Sequence, residues 1–286
     1  MRLRIVTDEA IDKVKIEEAL AAMSVPAQHR ISVHAKVEGD DIAASRLAAQ
    51  PTFRQFREGH PCWRKVTDPL LYAENGEEVI ILDPDVYFPN RFRFEPSPGR
   101  GVYLMWQRPN CLYPPEVVEQ AISQRIRLAH HVDIGVAQYR APLDLDWLDW
   151  FVATIGGKNL PRHMHVEAVT WAALAMRIGG GYFDAVAWRC WHRDHWKRVL
   201  LKLGASGASI LKYDDLSKAK CFHASGQSKW WVVDACKLGL FDRDATVESD
   251  SPVRPFVELM PQRYAAERFA KTVLHKVGYY RAINPT

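Results

Sequence analysis

Val79-Ile80-Ile81-Leu82-Asp83-Pro84-Asp85-Val86-Tyr87 decides the reading of this chain: a continuous apolar run that stops on two carboxylates. Coming after the turn signal Asn75-Gly76, the four apolar residues read as a short strand buried on both faces, the pattern of a parallel sheet covered by helices. Ligands of open α/β sheets bind beyond the carboxyl ends of the strands, so Asp83 and Asp85 fall where a ligand would sit. Two hard oxygen donors there suit Mg2+ or Mn2+, which can bridge to phosphate oxygens. Read alone, Asp83-Pro84-Asp85 is equally a polar turn that ends a strand, since Asp and Pro are ordinary turn residues.

Outward from this run, strands alternate with helices. Towards the N-terminus, Leu3 to Val6 reads as a strand and Asp8 to Met23 as a helix with acidic residues near its start. Residues 30 to 37 alternate strictly, with Ile31, Val33, Ala35 and Val37 on one face, which predicts a second strand. Helical stretches then lead through His60-Pro61-Cys62-Trp63 to a short helix over Arg64 to Tyr72. Towards the C-terminus, a Pro- and Gly-rich loop over 89 to 101 precedes a strand from Val102 to Trp106. Pro114-Pro115 opens a helix, and a strand follows near Ile134 to Ala137. A helix surrounded by apolar residues starts near His163 and stops at Gly179-Gly180-Gly181, and Tyr264 to Val277 forms a last helix. This order predicts an α/β fold with substantial parallel content.

Composition sets the outer bounds. The 286 residues are 48% hydrophobic and 25% charged, enough to bury a core, so a disordered or fibrous chain is excluded. A formal charge of +4 over this length is too small for a nucleic-acid footprint. The five cysteines are scattered and never paired as C-x-x-C, which argues against a disulfide framework or a thiolate zinc site. The start MRLRIVTDEA lacks the apolar core of a signal peptide, and no stretch approaches the roughly 20 apolar residues of a membrane helix. The expectation is a cytoplasmic protein with no transmembrane segment, for which peripheral membrane contact stays open.

A second constellation lies at Cys221-Phe222-His223-Ala224-Ser225-Gly226-Gln227-Ser228-Lys229-Trp230-Trp231. His223 offers an imidazole nitrogen to a metal, Gly226 lets the backbone approach a phosphate, and Lys229 brings a point charge suited to diphosphate oxygens. Together, D-x-D after an apolar strand and a late H-x-x-G-x-x-K-x-W resemble the motifs of nucleotide-sugar-dependent glycosyltransferases of the GT-A fold, above all the retaining family 8 type that includes glycogenin and lipopolysaccharide galactosyltransferases. Trp230 stands where that family usually has Pro. The resemblance implies a metal held by Asp83, Asp85 and His223, and a donor diphosphate met by Asp83, Gly226 and Lys229, with Lys229 also catalytic through the leaving group.

Weaker matches extend it. Trp63-Arg64-Lys65 before Pro69-Leu70-Leu71 is similar to a family pattern that makes Lys65 a donor-binding residue. Asp133-Ile134-Gly135-Val136 is similar to the family's Asn-x-Gly-Val strand, with Asp133 in the sugar-binding position, and Ile5-Val6-Thr7-Asp8 looks like its first nucleotide-binding turn, which brings in Thr7 and Asp8. Glu167 falls in the region that supplies acidic groups near the acceptor. The fold implied is a single GT-A, Rossmann-like domain over residues 1–240, with a mostly parallel central sheet flanked by helices and a C-terminal helical extension over 241–286 packed on it. The function implied is transfer of a hexose from a nucleotide-diphosphate sugar to a carbohydrate or other hydroxyl acceptor, with retention and with Mn2+ or Mg2+ as cofactor.

Competing readings have their own signatures. A nucleotidyltransferase of the same broad fold needs a Gly-rich phosphate loop after the first strand, and residues 7 to 15 contain no glycine. A catalytically inactive nucleotide- or carbohydrate-binding protein would bind without metal dependence. His163 and Glu167 stand four apart on the expected helix, as metal ligands can, but without the H-E-x-x-H spacing. Trp188 to Arg198 interleaves aromatic and basic residues, which reads as a helix with buried tryptophans and snorkelling cations, or as a surface for sugars or an anionic membrane.

Overall fold

The computed structural model describes residues 1–192, 194–241, 245–248 and 253–283. Its strands are β1 (Arg2–Thr7), β2 (Arg30–Ala35), β3 (Glu78–Leu82), β4 (Val86–Tyr87), β5 (Arg91–Phe92), β6 (Val102–Trp106), β7 (Val132–Arg140), β8 (Gly180–Tyr182), β9 (Trp188–Cys190), β10 (Cys221–His223) and β11 (Thr246–Val247). Helices alternate with them, so the chain is mixed α/β. Contacts divide it into two compact units, residues 1–73 with 143–164, and residues 74–142 with 165–286, a division the sequence does not announce.

The first unit opens as its pattern predicts. β1 and β2 pair in parallel, joined through the helix Ala10–Ala21, because parallel neighbours need a crossover rather than a hairpin. The strict alternation of 30–37 runs past the strand, however. The chain turns helical at Lys36–Arg46, which leaves Val37 exposed instead of on the buried face. The core of this unit is aromatic: Phe56 stacks on Trp63 with ring centroids 4.6 Å apart, and Phe53 lies beside Phe56. The helix Leu145–Thr154 is tied in through Asp149, which accepts from the Phe53 N–H at 2.7 Å.

In the second unit the main sheet has the order β3-β7-β6-β8. β3 and β6 both run antiparallel to β7, and only β6 and β8 are parallel, so this sheet is mixed and not mostly parallel. The apolar run Val79–Leu82 announces a strand but says nothing about the direction of its neighbour. It is an edge strand with only Ile81 buried, whereas β7 is buried from Val132 to Tyr139. Asp133 and Gln138 interrupt the apolar sequence of β7 and hide that burial from a periodicity count. Gln138 is accommodated by donating to the Glu95 carbonyl at 2.6 Å and the Ser97 hydroxyl at 2.8 Å.

A second, smaller sheet has the order β4-β10-β9, with β10 antiparallel to β4 and parallel to β9. Asp83-Pro84-Asp85 is the turn by which the chain leaves the first sheet and enters the second. Beneath this turn, Met105, Val136, Phe183, Ala187, Trp188, Cys190 and Cys221 form one apolar cluster. The helix Val166–Ile178 is buried from Val166 to Ala175, in line with its apolar surround. Towards the C-terminus, Glu258 bridges to Ala129 and Arg254 to Tyr182, and the helix Pro261–Lys276 follows. Among the described residues, no helix is long and apolar enough to cross a membrane.

Candidate metal centre

The two ends of the Asp83-Pro84-Asp85 turn are fixed by backbone bonds. The Asp83 N–H donates to the Gly135 carbonyl on β7 at 2.9 Å, and the Asp85 carbonyl accepts from the Ala224 N–H, just past β10, at 2.9 Å. Both carboxylates are thereby aimed at the end of β10. His223, the last residue of β10, presents Nε2 to Asp85 Oδ1 at 3.3 Å and to Asp83 Oδ2 at 3.9 Å. Its other nitrogen, Nδ1, meets Asp133 Oδ1 at 2.7 Å.

The donor set fits a divalent cation. Cis ligands around an octahedral ion at about 2.1 Å stand about 3 Å apart, close to the spacing of these two carboxylates from Nε2. Two carboxylates with one imidazole make a donor set for a divalent cation. Asp83, Asp85 and His223 have one ligand atom each within 4.8 Å of the others, and Asp133, Cys190 and His223 form a second such group on the inner side.

Electrostatics favour the charged forms. Burial opposes protonation of His223, but the Asp133 carboxylate beside it, with hydrogen bonds to Asp133 and Asp85, holds its pKa well above the ordinary value. Burial likewise disfavours the charge on Asp85, but its hydrogen bond to His223 and the charges of His223 and, farther off, Lys229 outweigh it and lower its pKa. Asp133 is lowered against its burial by His223, the Gly135 N–H and Cys190. The Cys190 thiol is pushed up to about 11, by burial first and by Asp133 second, so it stays protonated.

The stretch after β10 completes the arrangement. Gly226 has φ +64, a left-handed backbone that glycine adopts without strain, and opens a 3-10 helix over Gly226–Trp231. At the far end Trp231 is half-buried and packs edge-on against Trp191, with ring centroids 5.4 Å apart. Lys229 is exposed between these anchors, its ammonium 5.1 Å from the Trp230 ring centroid. Trp230, in place of the proline, is the exposed face on which Lys229 rests.

The structure thus brings together Asp83, Asp85, Asp133 and His223, with Gly226 and Lys229 on the adjoining segment. Asp133 does not face outward as the sugar-binding position implies. It is buried, and Oδ1 is shared between His223 and the Gly135 N–H at 2.9 Å. Glu167 is buried in the first turn of the helix Val166–Ile178 and joins neither ligand group. The helix face proposed for His163 and Glu167 does not exist, because His163 precedes the helix. Thr7, Asp8 and Lys65 belong to the first unit. There Thr7 donates to the Glu9 carbonyl at 3.0 Å, Asp8 pairs with Arg64, and Lys65 lies in the first turn of the helix Arg64–Tyr72.

The segment Trp188 to Arg198 is no single helix. It begins as β9 and becomes helical only at His195–Lys202, with Trp188 and Trp191 buried and Trp196 exposed, while Arg193 lies outside the described residues. One contributor, Cys190, escapes the motif reading, and Gly135 enters it without a role of its own. Cys190 was hidden in this aromatic and basic stretch. Gly135 had a usable signal, since a glycine inside a strand marks a close approach of another group. A Cβ there would lie 2.5 Å from His223 Nδ1.

No protein-family profile and no curated protein matches the chain. Among solved structures it is similar to mouse xyloside xylosyltransferase 1 in its apo form, with 11% identity and a TM-score of 0.48 over 79% of this chain and 85% of that one.

Proposed function

We propose that this chain is a metal-dependent glycosyltransferase, which moves a hexose from a nucleotide-diphosphate sugar to the hydroxyl of a carbohydrate or other acceptor. The observation that carries the reading is the convergence of Asp83, Asp85 and His223: residues 138 positions apart in sequence meet at hydrogen-bonding to ion-pair distances of 3.3 and 3.9 Å. Retention of configuration, the nucleotide-sugar donor and Mn2+ or Mg2+ follow from the resemblance of D-x-D and H-x-x-G-x-x-K to the family 8 pattern.

In this reading Asp83, Asp85 and His223 hold the ion. When bound, a divalent cation supplies positive charge against the diphosphate leaving group. Lys229, whose charge reaches Asp85, adds a mobile cation for the same oxygens, and its effect grows as negative charge develops on the leaving group. Gly226 gives the segment its turn beside the phosphates. Lys65, Thr7 and Asp8 are assigned to the donor and Glu167 to the acceptor or catalytic side on the resemblance alone. Residues 1–240 make up the catalytic domain, residues 241–286 an extension packed on it, and the protein acts in the cytoplasm.

The test is thermal unfolding of the wild type and Asp85→Ala against a panel of nucleotide sugars, with and without Mn2+. At least one nucleotide sugar should stabilise the wild type only when Mn2+ is present, and none should stabilise Asp85→Ala. If no nucleotide sugar shifts the wild type in Mn2+, the assignment is wrong.

A further inference from the structure

Asp133 is placed to do a different job from the one its motif implies. All its acceptor directions point inward: Oδ1 takes the His223 Nδ1–H at 2.7 Å and the Gly135 N–H at 2.9 Å, and Oδ2 faces the Cys190 thiol at 3.5 Å. At 4% exposure, its side chain offers a sugar almost no surface. Gly135 makes the contact with His223 feasible, because its missing Cβ leaves the space in which the ring lies against β7. The ladder between β6 and β7 is irregular here, passing from the Leu104–Ala137 pair directly to Met105–Asp133. Such a bulge re-aims side chains.

An imidazole has two nitrogens, and which one is available to a metal is decided by what the other does. With Nδ1 committed to Asp133, Nε2 is the atom presented to the Asp83 and Asp85 carboxylates. We propose that Asp133 is the positioning residue of this site, a buried carboxylate that fixes the His223 ring so that Nε2 faces the cation, and that Gly135 and Cys190 hold that carboxylate in place. This inference rests on the metal reading above. A carboxylate behind a ligating histidine sets ring orientation and raises ligand basicity, and loss of such a partner typically weakens metal affinity by about 10–100-fold.

The experiment uses Mn2+ alone, titrated by electron paramagnetic resonance into the wild type, Asp133→Asn and Asp133→Ala, with thermal unfolding to confirm folding. Asn keeps the acceptor without the charge, so Asp133→Asn should bind about tenfold more weakly and Asp133→Ala about 100-fold. Long-range proton–nitrogen correlation of His223 in the Mg2+-loaded wild type should show the proton on Nδ1, a signature that a purely structural role would not require. Asp133→Asn is the near-isosteric variant, and it decides the matter if Asp133→Ala does not fold. Binding by a folded variant within twofold of the wild type would overturn the inference while leaving the metal reading intact, and a proton on Nε2 would overturn the inference and remove His223 from the ligand set. Absence of Mn2+ binding by the wild type would overturn the metal reading and this inference with it.

Discussion

Two buried charge clusters lie three residues apart around β10, at Lys220 and at His223, and they are built differently. Lys220 meets one carboxylate, Glu95, at 2.8 Å; its ammonium also donates to the Arg93 carbonyl at 3.0 Å, and the Trp188 indole donates to Glu95 at 2.9 Å. At His223 one imidazole faces three carboxylates, and they differ in access: Asp133 is 4% exposed, Asp83 14% and Asp85 22%. An imidazole has at most two N–H groups, so three carboxylates gather more oxygen than the ring can satisfy. The matched pair at Lys220 is a packing element. The cluster at His223 has its more accessible carboxylates on one side, where the metal reading puts the cation.

The largest expected effect comes from breaking the matched pair. Lys220→Met leaves Glu95 buried without its cation and should destabilise the protein by about 3–5 kcal/mol in urea unfolding, with Mn2+ affinity of the folded fraction unchanged. The opposite pattern is expected of Asp85→Ala, which should lower Mn2+ affinity by at least about 100-fold, the upper end of what supporting partners alone contribute, with metal-free stability within about 1 kcal/mol of the wild type. If both variants lost stability and neither lost affinity, the two clusters would be the same kind of object. Gly135→Ala sharpens the contrast from the backbone side. Its methyl would enter the space of the His223 ring, for an expected loss of about 1–3 kcal/mol in stability together with weaker Mn2+ binding.

Smaller effects separate the ion from its surroundings. Lys229→Ala should weaken nucleoside-diphosphate binding about tenfold in calorimetric titration, and leave binding of Mn2+ alone unchanged. A third group lies at His131, just before β7, where burial outweighs the nearby Glu267 carboxylate. His131 is lowered to about 4, by burial first and the neighbouring His130 second. Its folded pKa lies below the unfolded value near 6.5, so the unfolded chain takes the proton first. Stability is therefore full above about pH 6.5 and is lost as pH falls towards 4. His131 has φ 61, a backbone that Asn tolerates, so His131→Asn should flatten this dependence in urea unfolding at pH 7 and pH 5.

These contrasts also mark what the amino-acid sequence alone carries. The strand–helix–strand opening and the buried helix after His165 were legible because their apolar spacing follows the period of each element. That Asp83, Asp85 and His223 belong together was legible because an apolar strand running into carboxylates, and a histidine ahead of Gly226 and Lys229, each carry chemistry at fixed spacing. Strand direction was not, since Val79–Leu82 is compatible with a neighbour of either sense. The burial of β7 was masked by Asp133 and Gln138, whose polarity is satisfied by partners far away in sequence. The inward role of Asp133 depends on the missing Cβ of Gly135, for which the strand glycine is a local signal, and on the thiol of Cys190, which comes from a distant segment with no such signal.

The account turns on whether the cluster at His223 binds diphosphate through a divalent cation. Calorimetric titration of a panel of nucleoside diphosphates into the wild type, in Mn2+ and separately in EDTA, tests this most directly, with Asp85→Ala as the control. If the metal reading holds, at least one nucleoside diphosphate binds in Mn2+, the same compound fails to bind in EDTA, and Asp85→Ala fails in both. Equal binding in Mn2+ and EDTA, or binding by none of the panel in Mn2+, would contradict it.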